Sequence, residues 1–117
     1  TTTLKTLHWE NRVIIVFAES ATADSLAAQI EREKEALEER HIRWFVVLPD
    51  SQISNGEPLA ENNVNELKTQ GEPVLLIGKD GGIKHRAGEL DFDDLYRRID
   101  AMPMRRSEMR RQKEGRE

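Results

Sequence analysis

The 117-residue chain contains no cysteine. Disulfides, thiolate metal ligands and thiol nucleophiles are therefore excluded together, while the compartment stays open, since exported proteins without disulfides are common. Aromatic residues make up only 5% of the chain, too few to supply a stacking platform for bases. No apolar run approaches the ~20 residues of a membrane-spanning helix. Neither a nucleic-acid partner nor a membrane span is expected. The three histidines, His8, His41 and His85, have no i,i+2 or i,i+4 pairing, so their spacing marks no metal site. No catalytic residue, metal or cofactor is called for.

What is present describes one heavily charged α/β domain, 37% hydrophobic and 34% charged, with a net charge of −4. The charge is unevenly spread: residues 1–100 carry 12 Lys/Arg against 19 Asp/Glu, and residues 101–117 carry 6 against 3. An acidic body ends in a basic tail. The chain opens at Thr1 with no basic-then-apolar leader; the expectation is that a leader precedes it or that a cytoplasmic start was trimmed.

"RVIIVFA" (12–18) is a continuous β-branched and aromatic run, as in a strand buried on both faces. Ser20, Thr22 and Asp24 follow as candidate helix caps, and one helix is expected to run to about Arg40 with Ala23, Leu26, Ala27, Ile30 and Leu37 inward. "HIRWFVVLP" (41–49) is the next strand, with Ile42, Trp44, Val46 and Leu48 on one face and Phe45 and Val47 on the other; the two strands and their helix make a parallel βαβ unit. "DSQISNGEP" (50–58) has loop composition, and "LAENNVNELKTQ" (59–70) is helical with Gly71 as its stop. In "EPVLLIGKDGGIKHRAGEL" (72–90), Pro73 opens a strand, Asp80-Gly81 makes a tight turn, and 74–79 pairs antiparallel with 83–87, placing Ile83, His85 and Ala87 on one face. Asp91 caps a helix whose buried stripe is Phe92, Leu95, Tyr96, Ile99 and Met102. The division expected is a domain over 1–104 and a basic helical tail over 105–117 that docks loosely or extends as an arm.

The glycines at 78–82 do not lead into a helix, so a hairpin turn explains them better than a phosphate cradle. The fold expected is thus a central mixed sheet, βαβ then β-hairpin, flanked by helices.

Stretches 13–25 and 72–100 resemble thioredoxins, in which the first of these strands enters the active-site loop and a cis-proline opens the later strand. The redox cysteines of that family fall here at Ala21 and Asp24, so the resemblance implies a vestigial loop of Ser20, Ala21, Thr22, Asp24 and Pro73 without dithiol chemistry. A closer resemblance is to the DUF4174 type, thioredoxin-like domains of unknown function found in small bacterial proteins and in vertebrate extracellular proteins of the sushi-repeat and equarin type. It rests on Trp9 and Arg12, Glu39-Arg40, "LIGKDGGIK" (76–84) and "IDAMPMRRSEM" (99–109). It implies a periplasmic or extracellular setting, with a cytoplasmic one also open, and, for the animal members, a role in adhesion or matrix binding.

The function expected is a redox-inactive module, monomer or homodimer, that recognises a protein or polyanionic partner through a basic surface of Lys79, Asp80, Lys84, Arg105 and Arg106. The rival expectation is an enzyme of non-thiol chemistry, a hydrolase or lyase, built from Glu19, Ser20, Asp24 and Asp50 in the former thioredoxin pocket.

Overall fold

The computed structural model describes residues 1–115. Helix α1 (Leu4–Leu7) starts at Thr3, whose hydroxyl accepts from the Thr6 amide, and leads into strand β1 (Arg12–Phe17). A 3-10 turn at Ser20–Thr22 is followed by helices α2 (Ala23–Glu31) and α3 (Lys34–Glu39), then strands β2 (Ile42–Val47) and β3 (Gln52–Ser54). Helix α4 (Glu61–Lys68), strands β4 (Val74–Ile77) and β5 (Ile83–Ala87), and helices α5 (Phe92–Asp100) and α6 (Pro103–Gly115) complete the chain. One mixed sheet runs β3-β2-β1-β4-β5, with β1 parallel to β2 and the other neighbours antiparallel.

Both faces of this sheet are covered, which is why its central strands are apolar at every step rather than at alternate ones. Ile14, Val16, Trp44, Val46 and Leu76 face α2, α3 and α5 and meet Ile30, Leu37, Leu95 and Ile99. Val13, Ile15, Phe45, Val47 and Leu75 face the opposite way, onto Leu7, Leu59 and Leu67. The inward stripe of α5 and the two faces of β2 are those the sequence pattern anticipates.

Four local expectations change. The single helix ending near Arg40 is broken at Arg32–Glu33 into α2 and α3. There Glu33 accepts a 2.7 Å bond from the Tyr96 hydroxyl, and Arg40 lies 4.3 Å above the Tyr96 ring, so the break is tied to α5. Burial and then the Glu33 hydrogen bond raise the Tyr96 phenol, keeping it protonated. Ser20 and Asp24 do not cap α2; Thr22 instead donates its hydroxyl back to the Glu19 carbonyl at 3.0 Å.

The stretch 50–58, loop-like in composition, contains the edge strand β3. Asn55 continues its ladder with a side chain: its amide oxygen accepts from the Trp44 N–H at 3.0 Å and its nitrogen donates to the Ile42 carbonyl at 3.0 Å. A side-chain amide standing in for backbone leaves no strand signature in sequence.

In the hairpin, Leu76 pairs with His85 but Ile77 pairs with Ile83, so Lys84 is an extra residue in β5. The bulge reverses the side-chain alternation. Ile83 packs with the Leu75 and Ile77 cluster, whereas Ala87 packs on the α5 side, so Ile83, His85 and Ala87 do not share one face. The turn itself uses Gly81 at φ +84, a conformation that glycine adopts without a Cβ penalty.

Residues 103–115 are helical, and the boundary expected after residue 104 falls inside this helix. Arg105 and Glu108, both in the expected tail, are 1% and 6% exposed and packed into the body.

Candidate functional site

β1 and β2 run parallel and β4 runs against them, so the start of β1, the residue before β2 and the residues after β4 all arrive at one end of the sheet. These are Arg12, His41 and Lys79. The first turns of α6 cross the same end and add Arg105 and Glu108, three apart and therefore on one helix face.

Glu108 is the centre. It accepts a two-pronged bond from Arg12, Nη1 to Oε1 at 3.1 Å and Nη2 to Oε2 at 3.0 Å, and a third from Lys79 Nζ at 2.9 Å. Burial alone would raise its carboxyl, but the bonds from Arg12 and Lys79 outweigh that and hold it at about 2. Arg105 sits alongside, donating from Nε to Asp100 at 3.1 Å and from Nη1 to the Glu39 carbonyl at 3.2 Å. Asp100 also takes a fork from Arg40 at 3.1 and 2.9 Å, and these arginines lower its carboxyl in spite of its burial. Charged side chains so withdrawn from water persist only where pairing offsets desolvation.

Lys79 also donates to Nδ1 of His41 at 2.7 Å. Burial, followed by the charge of Lys79, holds the imidazole below its usual 6.5 against the opposite pull of Glu108. The folded state thus favours neutral His41. The corresponding stability is present above pH 6.5 and declines as pH falls below it, because the unfolded chain takes up the proton first. His41 has φ +55, which asparagine tolerates well. The expectation is that His41→Asn flattens the decline in stability below pH 6.5 in a denaturant series at constant ionic strength. An unchanged slope would contradict the Lys79–His41 contact.

Arg12 carries the one unsatisfied polar atom found among buried side chains of the described residues. Its Nη1 and Nη2 serve Glu108 and the Arg40 carbonyl, while Nε has no partner. An orphaned buried donor of this kind costs about 1–3 kcal/mol.

Two openings flank this cluster. One, of about 530 Å³, is lined by Trp9, Arg12, Lys84, Arg98, Met102 and Met104 among others. The second, of about 650 Å³, includes Trp9, His41, Arg43, Asn55 and Lys79. Trp9 borders both. It has φ +71, is held by a 2.7 Å bond from its N–H to the Lys79 carbonyl, and is 56% exposed. A left-handed backbone at a bulky residue is an uncommon, costly arrangement that its surroundings must impose.

The surface expected from sequence is corrected by this geometry. Lys79 and Arg105 do not face solvent, because their charges are consumed in the cluster. Lys84 bonds Asp80 at 2.7 Å, and with the Gly82 amide it lowers the Asp80 carboxyl. Arg106 is exposed.

Ser20, Ala21, Thr22 and Asp24 follow the other end of β1, a strand of 6 residues that spans roughly 17 Å at ordinary strand rise. Pro73 is near them, its carbonyl accepting from the Phe17 amide at 2.8 Å. Its peptide bond is trans, unlike the cis-proline of the resemblance. Glu19, Ser20, Asp24 and Asp50 are all exposed. Of these only Glu19 lines the small depression there, of about 230 Å³, beside Lys68, so the four do not converge.

Arg12, His41 and Glu108 were not legible as a group. Their signal was faint: an arginine leading an otherwise apolar strand, and an Arg-Glu pair three apart after Pro103.

Fold and site together define a class: a mixed five-stranded α/β domain whose last helix is bonded to the sheet end by a buried ion cluster. The family model described as "Domain of unknown function (DUF4174)" matches residues 3–108, and the chain belongs to that family. The match runs through every member of the cluster, from Arg12 to Glu108. No curated protein and no solved structure matches the chain.

Proposed function

We propose that this is a thioredoxin-like interaction module without dithiol chemistry, which docks an anionic protein segment on the apolar and basic face around the start of α6. The thioredoxin-like assignment is supported by the order β2-β1-β4-β5, with one parallel and two antiparallel pairings and α5 following the hairpin. The absence of cysteine leaves that scaffold no thiol chemistry.

The observation that carries the docking surface is the company of Trp9 and Met104. Among the described residues they are the exposed large hydrophobic ones, 56% and 41% accessible, and both line the 530 Å³ groove with Lys84 and Arg98 at hand. Exposed apolar side chains gathered at one concavity mark a binding surface more than scattered ones do. Beyond Pro103 the face continues into a second groove with Arg106, Met109, Arg110 and Lys113. Aromatic, methionine and arginine side chains together are the residue types enriched at interface centres, and the cations select acidic partners.

An array of short acidic, basic and neutral peptides tests this. Acidic peptides with bulky apolar residues should be retained, less so at high salt. Trp9→Ala with Met104→Ala should weaken retention about tenfold or more while leaving thermal stability nearly unchanged. Arg106→Ala with Arg110→Ala should reduce it further. Equal retention by all these variants would overturn the proposal.

A further inference from the structure

Arg12, 1% exposed, forms part of the wall of the groove that holds Trp9 and Met104, and its Nε is left without an acceptor. The remaining charges of that lining are Lys79, Lys84 and Arg98 against the single carboxylate Asp80, which Lys84 already occupies. Arg12 and Lys79 are paired with Glu108, Lys84 with Asp80, and Arg98 with Asp94 at 2.8 Å, so what this lining still offers a negatively charged acceptor is the orphaned Arg12 N–H. The rest of the lining is apolar, with Ala101, Met102, Pro103 and Met104 along one side.

We infer that this groove binds a carboxylate carried on a bulky apolar group, the acidic partner peptide presenting an Asp or Glu next to a large aliphatic or aromatic residue. This rests on the docking face proposed above and specifies what it recognises. The carboxylate oxygen takes the Arg12 Nε–H, flanked by Lys84 and Arg98, while the apolar side chain lies between Trp9 and Met104. Arg12 Nη2 gives one of its two N–H groups to Glu108, so Nε–H and the second Nη2 N–H are left, enough for one carboxylate. A doubly charged phosphate would lose more solvation in walls of methionine and proline than these N–H groups return. Nε is sealed from solvent in the free protein, so the lining side chains must turn aside on binding. Met102 and Met104, unbranched and flexible, can do so.

The test is a titration of the full chain, isotopically labelled, with 4-phenylbutyrate, 4-phenylbutanol, acetate and inorganic phosphate. The resonances followed are the arginine Nε–H of Arg12 and the indole N–H of Trp9. The expected result is saturable binding of 4-phenylbutyrate with a downfield shift of the Arg12 Nε–H and a simultaneous shift at Trp9. The alcohol and acetate, each lacking half of the recognised group, should bind at least about tenfold more weakly, as should phosphate. Lys84→Met should weaken the acid and leave the alcohol unchanged. If Trp9 responds and the Arg12 Nε–H does not, the carboxylate inference is overturned while the apolar docking face stands. If phosphate shifts Arg12 as strongly as 4-phenylbutyrate does, the site is an unselective anion site and the inference also fails. If neither resonance moves although acidic peptides are retained on the array, the peptides dock elsewhere and the inference is again overturned.

Discussion

Glu108→Ala is expected to lower the stability of the domain by about 3–5 kcal/mol, the range for removing one partner from a buried ion pair. For a domain of this size that is a fall of roughly 10–20 °C in Tm. The reason is less the lost attraction than what stays behind: the guanidinium of Arg12, 1% exposed, and the ammonium of Lys79, 8% exposed, keep their charges with no carboxylate between them. That account has a second consequence. Replacing Arg12, Lys79 and Glu108 together by methionine should recover much of the loss, since no charge is then left buried without its counterion. Thermal and denaturant unfolding measure both. A Glu108→Ala protein within 1 kcal/mol of the parent would show that water already reaches the cluster.

The same carboxylate sets part of the acid limb. Its folded-state value of about 2 lies below the ordinary 4.5. The contribution is therefore whole above about 4.5 and is lost as pH falls toward 2. Glu108→Gln should show a flatter decline over that interval.

Arg105→Ala is expected to cost about 2–4 kcal/mol, from an emptied buried volume and unpaired acceptors. Arg105 reaches Asp100 at 3.1 Å, the Glu39 carbonyl at 3.2 Å and the Glu39 carboxylate at 3.3 Å, joining α6 to the ends of α3 and α5. Asp100 retains its fork from Arg40, which keeps the expected loss below that for Glu108. Arg105→Lys should recover only part, because an ammonium on a single stem cannot meet acceptors on two helices at once. Denaturant midpoints at constant m-value report the loss, and faster amide exchange within α6 shows where it falls. If Arg105→Ala unfolds like the parent and α6 exchanges no faster, the helix is an accessory arm, as the charge distribution alone suggests.

Both effects come from residues that local sequence places in solvent. A run of Val, Ile and Phe announces its own burial, and the stripe of α5 announces its face by spacing. An arginine in "MPMRRSEMRR" looks like any surface arginine, because nothing nearby says that a carboxylate one turn on will meet Arg12, 96 positions away in the chain. The same holds for the edge strand β3, whose ladder is finished by the Asn55 side chain, and for the bulge at Lys84, which only the pairing with Leu76 and Ile77 reveals.

The buried strands, the tight turn at Asp80-Gly81, the inward face of α5 and the absence of thiol chemistry can be read from the residue order, because each depends on residues a few positions apart or on composition. Which charges are interior, which end of the sheet holds the ion cluster and where Trp9 and Met104 meet are set by the assembled fold. Those outcomes depend on strand direction and on helix α6 crossing the sheet end, and pairing between distant charges carries no local periodicity from which it could be read.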